Sequence, residues 1–351
     1  MLARYDGATY RLPTLGIPTR TRHAEELQKA IRVLWGLPAI VLDILRSPRD
    51  LTSCVVAQLL SLDRFDGLIP ASLDQLNESE LDEQQRVVVE GMIAGDCGER
   101  GPFSRVGWID EAVAWLRSET GKSVRVTDKI QQYNASGKFA LVRFQVQDGS
   151  AYWLKATGDS NAHEFEITEA LSRLSSESMP PLIAMRGDWN AWLMKEAGKP
   201  IEAQPRLIEL ERAAVSMAKL QKRTIGMTEE LLNRGAIDQR PAVLRQHLFE
   251  IFDYLKEVMA MQTSTKVPRV EHQRLCEIGS VLCDACFRME VLNIPDTLNH
   301  GDMNYGNILF DGTHCRFIDW SEAYIGSPFV TMSAGAKLGH STPRERRSAA
   351  E

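Results

Sequence analysis

The chain has 351 residues, of which 44% are hydrophobic and 25% are charged, the ordinary balance of a globular protein that can form two or three domains. Its net charge of −6 argues against a nucleic-acid partner, because proteins that bind nucleic acids usually carry a basic excess. The apolar run 33–45 is too short to cross a bilayer, and the N-terminus lacks the apolar core of a signal peptide. The sequence therefore predicts a cytoplasmic protein with no membrane partner.

The first section, residues 1–118, mixes short apolar runs with helical patterns and is interpreted as an α/β-type N-terminal accessory domain. Residues 95–107 are rich in glycine and charge and predict a loop. A short helix is expected to follow over 109–118.

The second section, residues 122–200, has the pattern of a small antiparallel sheet. Val142, Phe144 and Val146 alternate with polar residues, which is typical of a strand with one buried face. The predicted order is three strands, one helix and two strands, over 123–136, 138–147, 150–157, 163–174, 180–188 and 190–198.

The third section, residues 201–351, is mostly helical, with helices predicted over 206–223, 242–261 and 272–292. The last helix holds Cys276, Cys283 and Cys286. A structural zinc site takes about four ligands and no second CxxC pair follows, so we expect small buried hydrophobic residues instead. The end of the chain, 335–351, is interpreted as a polar tail.

A dense group of polar residues lies within 300–320, HGDMNYGNILFDGTHCRFIDW. Two short apolar strands flank an Asp-Gly turn, which predicts a hairpin. If the hairpin folds about Thr313, then Asn307 and Asp319 meet at its open end. An amide oxygen beside a carboxylate suits a hard cation such as Mg²⁺.

Asp302 lies in the loop that enters the same end of this hairpin, and four residues separate it from Asn307. A carboxylate there can accept the proton of an incoming hydroxyl, and His300 is expected to brace the loop. Protein kinases use the same layout for phosphoryl transfer: a carboxylate base is followed, after four intervening residues, by an asparagine, and a metal-binding aspartate comes later in the chain.

That layout also requires a lysine on the third strand and a helical glutamate to pair with it. Lys155 occupies that strand. The following helix offers three glutamates, of which Glu164 falls on the apolar stripe with Ile167 and Leu171. Since a carboxylate on a buried face needs a partner, we predict the pair Lys155–Glu164. Backbone groups of Met194, Glu196 and Ala197, at the expected hinge, would then receive the adenine.

These motifs resemble the aminoglycoside phosphotransferase and choline kinase-like family over roughly 122–335, with LNHGDMNYGNILF, RFIDWSEAYIGSPF and YWLKA as the carrying segments. The resemblance implies an α+β, two-lobed protein-kinase-like fold: a small five-stranded antiparallel lobe and a mostly helical large lobe, preceded by the accessory domain. It also implies ATP, Mg²⁺ and transfer of the γ-phosphoryl group to a hydroxyl of a small molecule. Asp302 would be the base, Asn307 and Asp319 the metal ligands, and Lys155 the phosphate contact.

The sequence departs from protein kinases and leaves alternatives open. HGD replaces HRD, IDW replaces DFG, and no GxGxxG loop occurs, so a small-molecule kinase is favoured over a protein kinase. Family helices that build the acceptor pocket are not evident after Asp319, which leaves a non-catalytic nucleotide-binding regulatory protein as the alternative. The acceptor, the choice of ATP or GTP and the oligomeric state stay open.

The first section has a faint likeness to a Nudix domain in residues 5–15 and 24–38. The acidic cluster expected before Gly36 is replaced by residues 31–35, IRVLW. If the likeness holds, the hydrolase metal site is lost and an accessory or regulatory role remains.

Overall fold

A computed structural model describes residues 1–18, 22–46, 53–61, 67–96, 98–122, 130–263, 270 and 272–331. The predicted tail and the beginning of the strand expected over 123–136 lie outside these ranges. The chain divides into two compact units, Met1–Phe165 with Pro181–Glu196, and Glu166–Pro180 with Ala197–Glu351. None of the helices in the described ranges combines the length and apolarity that a membrane crossing requires.

The first unit begins with short strands and three helices. Helix α1 ends at Gly36, which has a left-handed φ of 67°, and helix α2 begins with a capping box between Asp82 and Gln85. The elements are β1 (Leu2–Tyr5), β2 (Tyr10–Arg11), α1 (His23–Trp35), β3 (Ala39–Arg46), β4 (Ser53–Leu59), β5 (Ile69–Pro70), α2 (Glu83–Ala94) and α3 (Trp108–Thr120). They form a three-stranded sheet, β2-β1-β5, and the hairpin β3-β4.

The rest of the first unit is a five-stranded antiparallel sheet. Its strands are β6 (Ile130–Ser136), β7 (Phe139–Gln145), β8 (Ala151–Ala156), β9 (Leu182–Arg186) and β10 (Ala191–Lys195), in the order β6-β7-β8-β10-β9. Helix α4 (Glu164–Leu174) follows β8. The order of three strands, one helix and two strands that the alternating pattern predicted is confirmed.

One face of this sheet shares a core with the N-terminal section. Trp108, Ile109 and Leu116 of α3 are fully buried together with Phe144 of β7 and Leu154 of β8. The sequence predicted a domain boundary between 118 and 122, whereas both sections belong to one unit. The physical reason is that the apolar stripe of α3 covers the sheet face that would otherwise meet water.

The second unit is built from helices around two small sheets. The strands are β11 (Lys199–Pro200), β12 (Ile237–Asp238), β13 (Thr297–Asn299), β14 (Ile308–Phe310), β15 (Cys315–Phe317) and β16 (Tyr324–Gly326), in the sheets β11-β14-β15 and β12-β16-β13. The helices are α5 (Leu207–Thr224), α6 (Thr228–Asn233), α7 (Pro241–Ala260) and α8 (His272–Leu292). The three predicted helices are confirmed to within a residue or two, and α6 was not predicted.

Helices α7 and α8 pack on each other around a small cluster that includes Phe252, Leu275 and Cys286. Cys286 is buried and Cys283 half-buried, as expected of small hydrophobic residues, but Cys276 is exposed. The prediction is therefore wrong for Cys276, which lies on the outer side of α8.

Candidate active site

The predicted hairpin consists of β14 and β15, and its tip is fixed by Asp311. The Asp311 carboxylate accepts hydrogen bonds from the backbone N–H groups of Thr313 at 2.9 Å and His314 at 2.8 Å, and pairs with Arg316 at 2.6 Å. The N–H of His314 and the Arg316 guanidinium hold the pKa of the Asp311 carboxyl well below its usual range. Gly312, with a φ of 100°, completes the turn.

The strand register brings Asn307 and Asp319 to the open end of the hairpin. Ile308 pairs with Phe317, and the N–H of Ile318 donates to the carbonyl of Asn307 at 3.0 Å. Asp319 follows directly, with a left-handed φ of 70°. The turn therefore centres between Gly312 and Thr313 rather than on Thr313, so Asn307 lies opposite Ile318 and one step from Asp319.

Asp302 is oriented by two amide side chains. The Asn307 Nδ2 donates to both the backbone oxygen and Oδ2 of Asp302 at 3.0 Å, and the Asn304 Nδ2 donates to Oδ2 at 2.8 Å. Both donors contact the same carboxylate oxygen, so among the described residues Oδ1 is the atom open to an incoming proton. The contact of Asn304 was not predicted, although its position two residues after Asp302 is visible in the sequence.

His300 connects this loop to the hairpin. Its side chain is fully buried, and its Nε2 lies 2.8 Å from the carbonyl oxygen of Ile318. Because a carbonyl can only accept, Nε2 carries the hydrogen. The imidazole ring also packs on Trp320, with 4.4 Å between ring centroids. These contacts agree with the predicted role of His300 in holding the Asp302 loop against the hairpin.

A buried network stands behind the loop and was not predicted. Asn299, at the end of β13, is fully buried. Its Nδ2 donates to the carbonyls of Thr297 and Gly326, and its Oδ1 accepts from Gln221 at 3.0 Å and Thr331 at 2.7 Å. Four hydrogen bonds saturate this amide and fix the strand immediately before His300.

Gly301 separates His300 from Asp302 and cannot carry a side chain without rearrangement. Its φ is 80°, and an added Cβ would overlap the carbonyl oxygen of Glu322 and lie 2.7 Å from the Glu322 Cβ. We expect Gly301→Ala to destabilise the protein by about 2 kcal/mol or more, through backbone strain and this clash. Urea denaturation measures the effect. The control is Gly226→Ala, where φ is 82° and no atom lies within 4 Å of the added Cβ; an equal loss in both variants would contradict the role of the clash.

In the first unit, Lys155 pairs with Glu164. The Lys155 Nζ lies 2.6 Å from the Glu164 Oε1, and the two side chains are 17% and 1% exposed. The Lys155 Nζ also lies 5.7 Å from the ring centroid of Trp192, its neighbour on β10. The choice of Glu164 by the helical stripe is confirmed, since Glu166 and Glu169 instead pair with arginines.

The predicted hinge is only partly available to a nucleotide. The backbone N–H of Glu196 donates to the carbonyl of Ala151 at 2.9 Å, and its carboxylate accepts from Arg143 at 2.6 and 3.1 Å. The Glu196 N–H is therefore already used inside the sheet, because the end of β10 continues its pairing with β8. The adenine contacts of Met194 and Ala197 stay predictions.

Asn307 and Asp319 supply oxygen atoms of the kind that Mg²⁺ prefers. No group of three or more His, Cys, Asp or Glu side chains in the described ranges could hold a metal on its own. However, Mg²⁺ is commonly held by one or two protein oxygens together with substrate phosphates. The Asn307 amide turns its nitrogen to Asp302, so its oxygen is the atom that can face a cation next to Asp319.

Comparison with solved structures finds proteins that are named as phosphotransferases and kinases of small molecules. No family model and no curated protein matches the chain. The similar structures include a macrolide 2′-phosphotransferase from Brachybacterium faecium, with 13% identity, 68% of this chain and 86% of that chain covered, and a TM-score of 0.42. A choline/ethanolamine kinase family protein from Mesorhizobium loti has 16% identity, coverages of 68% and 72%, and a TM-score of 0.42.

An aminoglycoside phosphotransferase from Alicyclobacillus acidocaldarius has 14% identity, coverages of 65% and 70%, and a TM-score of 0.40. The last two are named as members of the family that the sequence motifs resemble. At such low identity the activity of this chain has to be argued from its own residues.

Proposed function

We propose that the protein is an ATP- and magnesium-dependent phosphotransferase that moves the γ-phosphoryl group of ATP to a hydroxyl of a small molecule. The observation that carries this proposal is the arrangement around Asp302. Its carboxylate is oriented by Asn307 and Asn304, and Asn307 lies at the hairpin end that continues into Asp319. A base held beside two candidate metal ligands is what phosphoryl transfer requires.

The proposed reaction forms one bond and breaks one. The acceptor hydroxyl oxygen attacks the γ-phosphorus, the bond from that phosphorus to the bridging oxygen of ADP breaks, and the hydroxyl proton passes to Asp302. Asn304 and Asn307 orient the carboxylate before transfer, because each donates a hydrogen bond to Oδ2. His300 keeps the loop against the hairpin through Ile318.

Asn307 and Asp319 are the proposed ligands of the magnesium ion. When bound, Mg²⁺ neutralises the negative charge of the phosphates. In the first unit Lys155 is the proposed phosphate contact, and its pairing with the buried Glu164 holds the ammonium group at one position.

The proposed acceptor is a hydroxyl of an aminoglycoside, an amino alcohol or a sugar-like molecule. The names of the similar structures support this range, since they include phosphotransferases for macrolides and aminoglycosides and a choline/ethanolamine kinase family protein.

The experiment is a panel assay with the full chain, Mg²⁺ and ATP. Aminoglycosides, macrolides, choline, other amino alcohols and sugars are tested for acceptor-dependent release of ADP, and mass spectrometry detects the phosphorylated product. We expect one chemical class to give turnover. Calorimetric binding of Mg-ATP without transfer to any acceptor would favour the non-catalytic regulatory alternative, and absence of nucleotide binding would reject both.

Replacement of the second metal ligand tests the magnesium assignment. We expect Asp319→Asn to raise the magnesium concentration needed for half-maximal ATP binding by about tenfold or more, because a neutral amide attracts a divalent cation less than a carboxylate does. Titration with Mg²⁺ at fixed ATP measures the change. Asp284→Asn, at an exposed position of α8, is the control for loss of one negative charge; an equal shift there would contradict the assignment.

A further inference from the structure

The turn between β6 and β7 is covered by a segment from the N-terminal section, residues 98–104. The N–H of Phe103 donates to the carbonyl of Gly137 in this turn at 3.1 Å. A Cβ added to Gly137 would overlap the carbonyl oxygen of Arg100, and one added to Gly101 would lie 2.5 Å from the carbonyl oxygen of Gly137. The two backbones therefore touch directly, and each contributes a glycine to the contact.

The covering segment is itself anchored in the first unit. Phe103 is buried, with its ring centroid 5.1 Å from that of Trp108 and 5.4 Å from that of Trp189. Arg100 forms an ion pair with Asp43 of β3. The segment is thus fixed on both sides of Gly101, by an ion pair and by a core side chain.

The covered turn lies at the same end of the sheet as Lys155. Leu141 of β7 lies opposite Lys155, and the turn is three residues before Leu141. At about 3.3 Å per residue this places the turn roughly 10 Å from Lys155 along the strand. Lys138 in the turn also pairs with Asp159, which follows β8, so the turn contacts both the N-terminal segment and the loop after the lysine strand.

We propose that residues 98–104 act as a brace that fixes the β6–β7 turn for ATP, which makes Gly101 and Gly137 positioning residues for the nucleotide. This inference rests on the proposed function. In protein kinases the corresponding turn is glycine-rich and covers the phosphates, whereas this turn has a single glycine. The brace holds it in place before the nucleotide arrives, which lowers the ordering cost of binding.

The test compares Gly101→Ala with Gly107→Ala in the full chain. Both glycines have a positive φ, 99° and 90°, but only the Cβ at Gly101 would meet the turn, since no atom lies within 4 Å of a Cβ at Gly107. We expect Gly101→Ala to weaken Mg-ATP binding by about tenfold through the lost pre-organisation, and to speed amide hydrogen exchange in residues 136–140. The control should stay within about twofold of wild type in both measurements.

Kinetics separates positioning from chemistry. In Gly101→Ala the KM for ATP should rise while the KM for the acceptor stays unchanged, because the proposal assigns the turn to the nucleotide and not to the acceptor. Arg100→Ala is the second variant, to be used if Gly101→Ala does not fold. It removes the ion pair with Asp43 and should likewise weaken Mg-ATP binding and speed hydrogen exchange in the turn.

The failure of the brace is distinguishable from failure of the proposed function. Wild-type affinity for ATP in Gly101→Ala, with faster exchange in the turn, would overturn the brace and leave the phosphotransferase intact. Unchanged exchange in the turn would also overturn it. A wild-type chain that binds no ATP would overturn the proposed function and with it the effect of the brace on the nucleotide.

Discussion

Asp302→Asn is expected to lower the rate of phosphoryl transfer by about 10²–10⁴-fold, the usual contribution of a positioned general base. The substitution keeps the shape of the side chain but removes its ability to take a proton. Because the nucleotide contacts are assigned to other residues, the affinity for Mg-ATP should change little. Initial rates with the acceptor found in the panel, together with calorimetry for ATP, measure both quantities.

Two further variants serve as comparisons for Asp302→Asn. Asp284→Asn removes a carboxylate from an exposed position of α8 and should leave the rate unchanged. Asn304→Ala removes one of the two amide donors to Asp302 and should cost less than loss of the carboxylate itself. A rate in Asp302→Asn equal to that of the wild type would remove the proposed mechanism.

Lys155→Met is expected to destabilise the protein by about 3–5 kcal/mol, because it removes the lysine partner from a carboxylate that is buried. Glu164 is only 1% exposed and lies 2.6 Å from the Lys155 Nζ. The double variant Lys155→Met, Glu164→Leu should recover much of the loss, since the buried charge is then gone as well. Urea denaturation followed by tryptophan fluorescence gives the free energies of unfolding.

A pair on the same helix provides the comparison. Arg173 pairs with Glu169 at 2.6 Å, but the arginine side chain is 69% exposed. Arg173→Met should therefore change the free energy of unfolding by less than about 1 kcal/mol. Similar effects at both positions would show that burial of Glu164 does not determine the stability of the Lys155 pair.

Periodicity and turn chemistry were sufficient to predict the elements that carry the candidate site. The alternation around Val142 and Phe144 predicted β7, and the stripe of α4 selected Glu164 among three glutamates. The Asp-Gly turn predicted the hairpin, although its register differs by one residue because the turn closes over four residues, from Asp311 to His314. These are local signals, and local signals can be read in a single chain.

Features that depend on tertiary contacts were not predicted. Strands β11 and β12 have two residues each and exist only through pairing with β14 and β16. The network around Asn299 includes a hydrogen bond with Gln221, which lies 78 positions earlier in the chain. The hydrogen bond from the Glu196 N–H to the Ala151 carbonyl likewise depends on how far the pairing of β10 with β8 extends. No pattern within the segment 192–198 indicates that extent.

The shared core of the first unit determines the order in which it can be completed during synthesis. Helix α3 precedes the sheet in the chain, but its apolar side chains share a core with residues as late as Leu193. The core around the N-terminal section therefore stays incomplete, with that stripe uncovered, until β10 has been synthesised. A nascent chain that has not yet reached β10 therefore exposes this apolar stripe, and we expect chaperones to bind it.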